Sequence, residues 1–291
     1  MKKLFILTIL ALFITGSAFG EFVKKLNVIT TIFPLYDMAR EVGGDKVEVT
    51  KLLPAGVEAH TFDPKAKDIV KINNGDVFVY TGEFMEPWAK DIFRGVSNSS
   101  LLIVDASKGV TLMKGNDPHI WLDLSYAKIM TDNIAKAFGQ KDPANKDFYM
   151  ANASAYKARL ADLDQRFTSD LTSCKIKTIV YAGHFAFGYF AKRYGLAQVS
   201  PYKGFSPDAE PSPKSVAELI NTLKSSGSKV IYYEELIDPK IARVISEETG
   251  VKMDLLNGGH NVSDDEMKSG ITFLSIMEEN LKKLRQGLQC Q

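Results

Sequence analysis

The residues of this sequence best suited to chemistry are its four histidines, which stand far apart along the 291-residue chain. They are His60 in GVEAHTFDP, His119 in NDPHIWLDL, His184 in VYAGHFAFG and His260 in LNGGHNVSD. A neutral imidazole nitrogen is a good ligand for Zn²⁺ and other borderline-soft metal ions. A lone histidine beside apolar residues is more often an ordinary core or surface side chain. A metal site is therefore indicated only if the fold brings the four together.

Predicted strands and helices alternate on both sides of one long helical stretch. The strands are LNVITTI, VEVTKLLP, VFVYTG and LLIVDAS in the first half, and KTIVYAG, KVIYYEEL and VKMDLL in the second. This alternation is typical of mainly parallel sheets with helices on their faces. All four histidines fall at or just beyond the carboxyl end of a predicted strand, two in each half, and ligands bind at that edge of an open α/β sheet. One shared metal site is the resulting hypothesis, and four unrelated histidines are the alternative.

The stretch from Asp142 to Leu171 predicts a single long helix. It contains no glycine, its one proline, Pro143, suits a first helical turn, and apolar residues recur at spacings of three and four. At 1.5 Å per residue such a helix is about 40 Å long. We therefore predict an α/β protein of two lobes, each with a mainly parallel sheet flanked by helices, joined by one long rigid helix. The predicted boundaries are 21–141 for the first lobe, 142–171 for the linker helix and 172–291 for the second lobe.

The last segment, SDDEMKSGITFLSIMEENLKKLRQGL, is expected to form one final helix. Ser263 and Glu266 make a capping-box pattern at its start.

Residues 1–20 have the three parts of a secretory signal peptide. MKK is basic, LFILTILALFI is apolar, and GSAFG supplies small residues for cleavage before Glu21. A membrane anchor is the alternative reading of this segment. Removing Lys2 and Lys3 reduces the 36 basic residues to 34, against 35 acidic ones. This near-neutral balance gives no reason to expect nucleic acid as a partner. The mature protein is expected to be soluble outside the cytoplasm.

Cys174 and Cys290 are the two cysteines of the sequence. In an oxidising compartment they could form a disulfide, and two free thiols are the alternative.

Enzymatic chemistry has weaker support in the sequence. The patterns of a Gly-x-Ser-x-Gly elbow, a Walker loop and a dinucleotide-binding turn are absent from it. Glu58, close to His60, could act as a base beside a metal-bound water, which makes a metal-dependent hydrolase the enzyme alternative. The short HExxH pairing that would support a hydrolase is also absent. We therefore do not expect the protein to be an enzyme.

Several longer segments carry a family resemblance. PAGVEAHTFDP, DPHIWLD, GHFAFGYFAKRYGL, FSPDAEPSPKSVAEL and SDDEMKSGITFLSIMEENLKKL resemble the zinc/manganese solute-binding proteins of bacterial ABC importers, of the ZnuA/TroA type. The resemblance covers nearly the whole mature chain. It implies a metal ion held between two α/β lobes and delivered to a permease in the inner membrane. A metal-binding surface adhesin is a further alternative within this family.

The resemblance also implies a ligand set. His60, His119 and His184 match the three usual histidine ligands, and because manganese-preferring members have glutamate at the third position, His184 favours Zn²⁺ over Mn²⁺. The fourth ligand is expected to be His260, with Asp254 or a water molecule as alternatives.

Two features depart from many members of the family. The histidine-rich loop that often precedes DPHIW is missing, and so is a lipid-anchor cysteine near the leader. The second departure predicts a receptor that diffuses freely in the periplasm, and we expect it to be monomeric.

Carboxylates and aromatic residues flank the four histidines. Asp117 and Asp123 could orient His119 through its second ring nitrogen, or Asp123 could begin the following helix. Aromatic residues are expected to shield the site from water, and the roles of three glutamates stay open. These residues are Trp121, Phe185 and Phe187 for the aromatic group, and Glu210, Glu234 and Glu235 for the glutamates.

Overall fold

The computed structural model of the chain describes residues 24–207 and 210–291. The predicted signal peptide, residues 1–20, lies outside the described residues. The described part is an α/β protein with parallel sheets flanked by helices, which confirms the predicted fold class. No helix within the described ranges combines the length and apolar character that a membrane span requires.

The N-terminal lobe is built on a four-stranded parallel sheet with the order β2-β1-β3-β4. Its central strands are rich in β-branched and aromatic residues and are almost wholly buried. The strands are β1 (Leu26–Thr30), β2 (Val47–Lys51), β3 (Val77–Tyr80) and β4 (Leu102–Asp105). The helices are α1 (Phe33–Gly43), α2 (Ala66–Asn73), α3 (Ala89–Gly95) and α4 (Leu124–Lys141), with 3-10 turns at Gly44–Lys46 and Ile120–Leu122.

The C-terminal lobe contains two parallel strand pairs, β5–β6 and β7–β8. A single parallel bridge between Tyr181 and Tyr232 links the two pairs. The strands are β5 (Thr178–Val180), β6 (Ala197–Val199), β7 (Val230–Tyr233) and β8 (Lys252–Leu255). The helices are α6 (Gly188–Arg193), α7 (Pro213–Ser226), α8 (Lys240–Thr249), α9 (Asp264–Ser269) and α10 (Phe273–Gly287). Strand β6 has three residues and was not predicted from the sequence.

A long helix, α5 (Lys146–Thr172), lies between the two lobes in the sequence, as predicted. Pro143 begins a separate 3-10 turn, Pro143–Asn145, so that α5 starts a few residues later than expected. The apolar stripe of α5 is buried along its length, and its members contact both lobes. The buried apolar residues are Tyr149, Ala153, Tyr156, Leu160, Leu163, Phe167 and Leu171. They belong to one hydrophobic core that runs through both lobes.

The segment expected to form one final helix forms two, and this prediction was wrong. Gly270, with φ +77°, closes α9 in a left-handed conformation that suits glycine, and Thr272 then caps the start of α10. The predicted capping box of Ser263 and Glu266 is present at the start of α9. The break directs the backbone N–H of Phe273 at the carboxylate of Asp37 on α1, at 3.0 Å. The turn thus contributes a buried contact between the lobes.

Two further connections hold distant parts of the chain together. Arg193 on α6 pairs with Asp164 on α5 and also lies 3.3 Å from Asp123, at the start of α4. A disulfide joins Cys174, just after α5, to Cys290 in the C-terminal tail. The open question about the cysteines is therefore answered by the structure in favour of the disulfide.

Candidate metal centre

The fold brings the four predicted histidines into one cluster. His60 lies in the loop between β2 and α2, and His119 immediately precedes the 3-10 turn Ile120–Leu122. His184 lies between β5 and α6, and His260 between β8 and α9. One nitrogen of each ring lies within 4.8 Å of the corresponding nitrogens of the other three. Each lobe thus supplies two imidazoles to a common point at the carboxyl edges of its strands.

The ring nitrogens have the spacing of a tetrahedral zinc site. The Nε2 atom of His119 lies 3.2 Å from the Nε2 atoms of both His60 and His184. Zinc–nitrogen bonds of 2.0–2.1 Å in a tetrahedron place neighbouring nitrogens about 3.3 Å apart. The Nε2 atom of His260 is buried and has no hydrogen-bond partner among the described residues. An unpartnered buried nitrogen in this position is available to a cation.

Three of the histidines are held from behind by buried carboxylates. The pairs are His119 with Asp117 (2.7 Å), His184 with Glu234, and His260 with Glu235 (2.8 Å), each through the ring nitrogen Nδ1. A carboxylate at Nδ1 keeps the proton on that nitrogen and leaves the Nε2 lone pair free for a metal ion. These pairs therefore fix both the orientation and the tautomer that metal binding needs.

His60 is the exception among the four. It is only partly buried, and within the described part of the chain no carboxylate bonds its Nδ1 atom. Its orientation depends on the loop that carries it.

Burial sets the charge of two of the four histidines. Burial, together with the neighbouring His260 and His184, lowers the pKa of His60 from its ordinary 6.5 to about 2. Burial also lowers the pKa of His119 well below its ordinary value. Burial alone would lower the pKa of His260 too, but the hydrogen bond and charge of Glu235 outweigh it and raise that pKa. The imidazoles of His60 and His119 are thus neutral, which is the form that binds metal ions.

The structure also assigns roles to the flanking residues. Trp121 packs edge-on against His119 and His260, and its Nε1 donates to the backbone oxygen of Gly258 at 2.8 Å. Phe205, which the sequence did not single out, lies 6.5 Å from His119 between ring centroids and also packs against Phe185.

Two other flanking residues lie elsewhere. Phe187 packs against Tyr181 and Phe190 rather than against the imidazoles. Asp123 caps α4 by accepting the N–H of Ser125 at 2.8 Å, so that Asp117, not Asp123, bonds the ring of His119.

The alternative fourth ligand, Asp254, lies apart from the cluster. It belongs to β8, and its carboxylate pairs with Lys283 on α10 at 3.4 Å. His260, in contrast, has its ring within 5.3 Å of the other three between centroids.

A cavity of about 410 Å³ lies beside the cluster and is strongly acidic. Its lining includes Glu58, Glu210, Glu234 and Asp238. Glu58 and Glu234 also line the narrow cleft that reaches His184 and His260. Carboxylates along this approach raise the local concentration of cations. Glu58 itself accepts the backbone N–H of Thr61 at 2.8 Å, which stabilises the turn next to His60.

Comparison with known proteins agrees with this geometry. The family model described as ZnuA, zinc-uptake complex component A, periplasmic, matches residues 28–287. The high-affinity zinc uptake system protein ZnuA of Bacillus subtilis is 36% identical over 282 residues, which cover 91% of this chain and 88% of that protein. The zinc-binding lipoprotein AdcA of Streptococcus pneumoniae is 35% identical over 280 residues, and the match spans 90% of this chain but only 56% of AdcA.

Solved structures give the same picture. The Zn(II)-bound ZnuA-like domain of S. pneumoniae AdcA matches with a TM-score of 0.81 and 36% identity, covering 91% of this chain and 99% of that domain. The laminin-binding protein Lmb of Streptococcus agalactiae, described as a bifunctional protein with adhesin and metal-transporting activity, matches with a TM-score of 0.83 and 34% identity, covering 91% and 100%. These relatives are zinc-binding transport or adhesion proteins rather than enzymes. The chain belongs to the ZnuA family of periplasmic zinc-uptake components.

Proposed function

We propose that this protein captures Zn²⁺ with His60, His119, His184 and His260 and delivers it to an ABC-type permease in the inner membrane. The observation that carries the proposal is the convergence of four imidazoles, two from each lobe, at the spacing of a tetrahedral zinc ion. Three carboxylates behind the ring nitrogens prepare these ligands before the ion arrives.

The donor atoms favour zinc over manganese. Mn²⁺ prefers carboxylate and carbonyl oxygens, whereas four imidazole nitrogens suit Zn²⁺. The four imidazole ligands carry no negative charge. The negative charge that balances the cation comes from carboxylates that bond to the ligands and not to the ion, namely Asp117, Glu234 and Glu235.

Export and the division into lobes belong to the same proposal. Residues 1–20 act as the signal peptide, and residues 21–141 and 172–291 form lobes that meet around the ion, with the linker helix 142–171 between them. The receptor is free and monomeric in the periplasm. The disulfide between Cys174 and Cys290 supports export, because disulfides persist in oxidising compartments such as the periplasm.

Competitive metal titration tests the proposal. Protein purified from the periplasm is expected to bind one Zn²⁺ per chain and to retain it against an excess of Mn²⁺, and its melting temperature is expected to rise with zinc concentration. His184→Glu, which introduces an oxygen ligand, is expected to reduce the preference for zinc. A wild-type protein that prefers Mn²⁺, or that binds zinc equally well after His119→Ala, would contradict the proposal.

Adhesion is the second candidate function, since the similar Lmb protein is described as an adhesin. Solid-phase binding to laminin, with and without a zinc chelator, separates this activity from metal capture.

A further inference from the structure

We propose that Asn261 is the positioning residue for His60: it holds the loop that carries this histidine, in the place of the carboxylates that orient the other three. The inference rests on the proposed zinc-binding function. It concerns a residue that contacts no metal ion and that the sequence did not single out.

Asn261 is fully buried, and both atoms of its amide group are engaged. Its Nδ2 atom donates to the backbone oxygens of Pro54 at 2.6 Å and Val57 at 2.8 Å. Its Oδ1 atom accepts from the ammonium of Lys51, at the end of β2. Two carbonyls on one side and an ammonium on the other permit only this orientation of the amide. Asn261 therefore holds the segment that leads to His60 at its start, Lys51, and again close to the histidine, at Val57.

The contact crosses from one lobe to the other. Asn261 follows His260 in the C-terminal lobe, whereas Lys51, Pro54 and Val57 belong to the N-terminal lobe. Backbone bonds flank it on both sides: the N–H of Phe33 donates to the oxygen of His260 at 3.2 Å, and the N–H of Gly56 donates to the oxygen of Val262 at 2.9 Å. Residues 260–262 thus bind the loop of His60 directly beside another member of the cluster.

Among the four histidines, only His60 needs its loop to hold its ring in place. A ring without a carboxylate at Nδ1 keeps its position only as well as its backbone does, and loops are the least restrained part of a fold. Only two residues separate Val57 from His60, so a fixed carbonyl at Val57 restricts where the ring can reach. Loss of the Asn261 amide should therefore weaken zinc binding through His60 and not through the other histidines.

A double-mutant cycle on full-length protein exported to the periplasm tests this mechanism. Zinc affinity is measured by chelator competition for wild type, Asn261→Ala, His60→Ala and the double variant. Asn261→Ala is expected to weaken binding about tenfold when His60 is present, as two lost hydrogen bonds would. In the His60→Ala background the same change is expected to weaken binding less than about twofold, because the ring it positions is gone.

Asn98→Ala is the matched control. Asn98 also donates from Nδ2 to two backbone oxygens, those of Asn73 at 2.8 Å and Gly75 at 3.1 Å, but in a turn that leads to β4. It should leave zinc affinity unchanged within about twofold. Equal losses for Asn261→Ala with and without His60 would overturn the inference, because they would indicate a general structural defect. An unchanged affinity for Asn261→Ala would overturn it as well.

Hydrogen exchange of the metal-free proteins gives an independent readout. Amides of residues 55–62 should exchange faster in Asn261→Ala than in wild type or Asn98→Ala, and unchanged protection would contradict the inference. If Asn261→Ala does not fold, Lys51→Met, which removes the partner of Oδ1, should produce the same effects in weaker form, and normal affinity and protection in that variant would overturn the inference. A wild-type chain that binds no zinc is a separate outcome, which would refute the proposed function and this inference with it. Tight zinc binding without coupling between Asn261 and His60 would refute the inference alone.

Discussion

The carboxylate behind His260 offers a direct test of how the zinc site is prepared. Glu235 accepts three hydrogen bonds: Oε1 from the ring Nδ1 of His260 at 2.8 Å and from its backbone N–H at 3.2 Å, and Oε2 from the N–H of Gly258 at 2.8 Å. All three partners are donors, as a carboxylate requires. The substitution Glu235→Gln keeps the shape of the side chain but exchanges one acceptor for a donor.

Neither orientation of the new amide satisfies these partners. If the amide oxygen faces His260, the NH₂ group meets the N–H of Gly258, and two donors oppose each other. If the NH₂ group faces His260, it favours the ring tautomer with the proton on Nε2, which is the atom that must bind zinc. Loss of such a partner typically reduces metal affinity 10- to 100-fold, which corresponds to about 1.4–2.7 kcal/mol. Removal of one negative charge near a divalent cation acts in the same direction.

Zinc affinity is measured by competition with a chromophoric chelator, and circular dichroism checks that the variants fold. Glu86→Gln is the matched control, since Glu86 is a buried carboxylate that accepts from the backbone of Thr81 and Gly82 and from the hydroxyl of Thr31. Its zinc affinity should stay within about twofold of wild type. A folded Glu235→Gln protein with wild-type affinity would refute the reasoning, and so would an equal loss in Glu86→Gln.

Three further predictions concern the frame around the site. Burial raises the pKa of the Asp37 carboxyl from 3.8 to about 6. The contribution of this group to stability is therefore complete below pH 3.8 and is lost as the pH rises through 6. Asp37→Asn should increase the free energy of unfolding relative to wild type by on the order of 3 kcal/mol at pH 8, and by much less at pH 4, as urea titrations at both pH values would show. Arg193→Met should destabilise the protein by about 3–5 kcal/mol, because it leaves Asp164, a buried carboxylate, without its main partner. Thermal melting checks this, and it should show almost no change for the control Arg94→Met, because the ion pair of Arg94 with Asp91 is exposed. The lobes should move little on zinc binding, and a large difference in radius of gyration between metal-free and zinc-loaded protein, measured by X-ray scattering, would contradict this.

The position of the site could be predicted from the sequence because it depends on topology. Once parallel strands are recognised, their carboxyl ends must meet at one edge. His184 and His260 closely follow β5 and β8, and His60 follows β2 after a short loop. His119 follows β4 after a longer loop, yet the buried turn Ile120–Leu122 returns it to the same edge. The partners of the histidines are less visible. Glu234 and Glu235 are neighbours after β7, and nothing in their order indicates that each bonds a different imidazole.

The errors in the predicted fold have similarly local causes. Gly270 lies within an otherwise helical pattern, and only its left-handed backbone and the Thr272 cap show that the helix ends there. Strand β6 is three residues long, which is too short for a periodic signal. The contact of Asn261 with the loop of His60 joins positions more than 200 residues apart, and no local sequence pattern predicts such a contact.

These connections also suggest which part of the molecule must yield when the ion leaves. The lobes share one hydrophobic core, and α5 packs against both of them. The ion pairs of Arg193 and the hydrogen bond between Phe273 and Asp37 also cross between the lobes. A wide opening would therefore expose buried apolar surface and leave charges unpaired. Three histidines are fixed by carboxylates on buried segments. The loop of His60 is bound to the C-terminal lobe through Asn261, which bonds the backbone oxygens of Pro54 and Val57, and it lies beside the acidic cavity at Glu58. Because His60 is the one ligand whose ring bonds no carboxylate among the described residues, release of zinc, if the ion is delivered as proposed, is expected to begin with the departure of His60 while the lobes stay together.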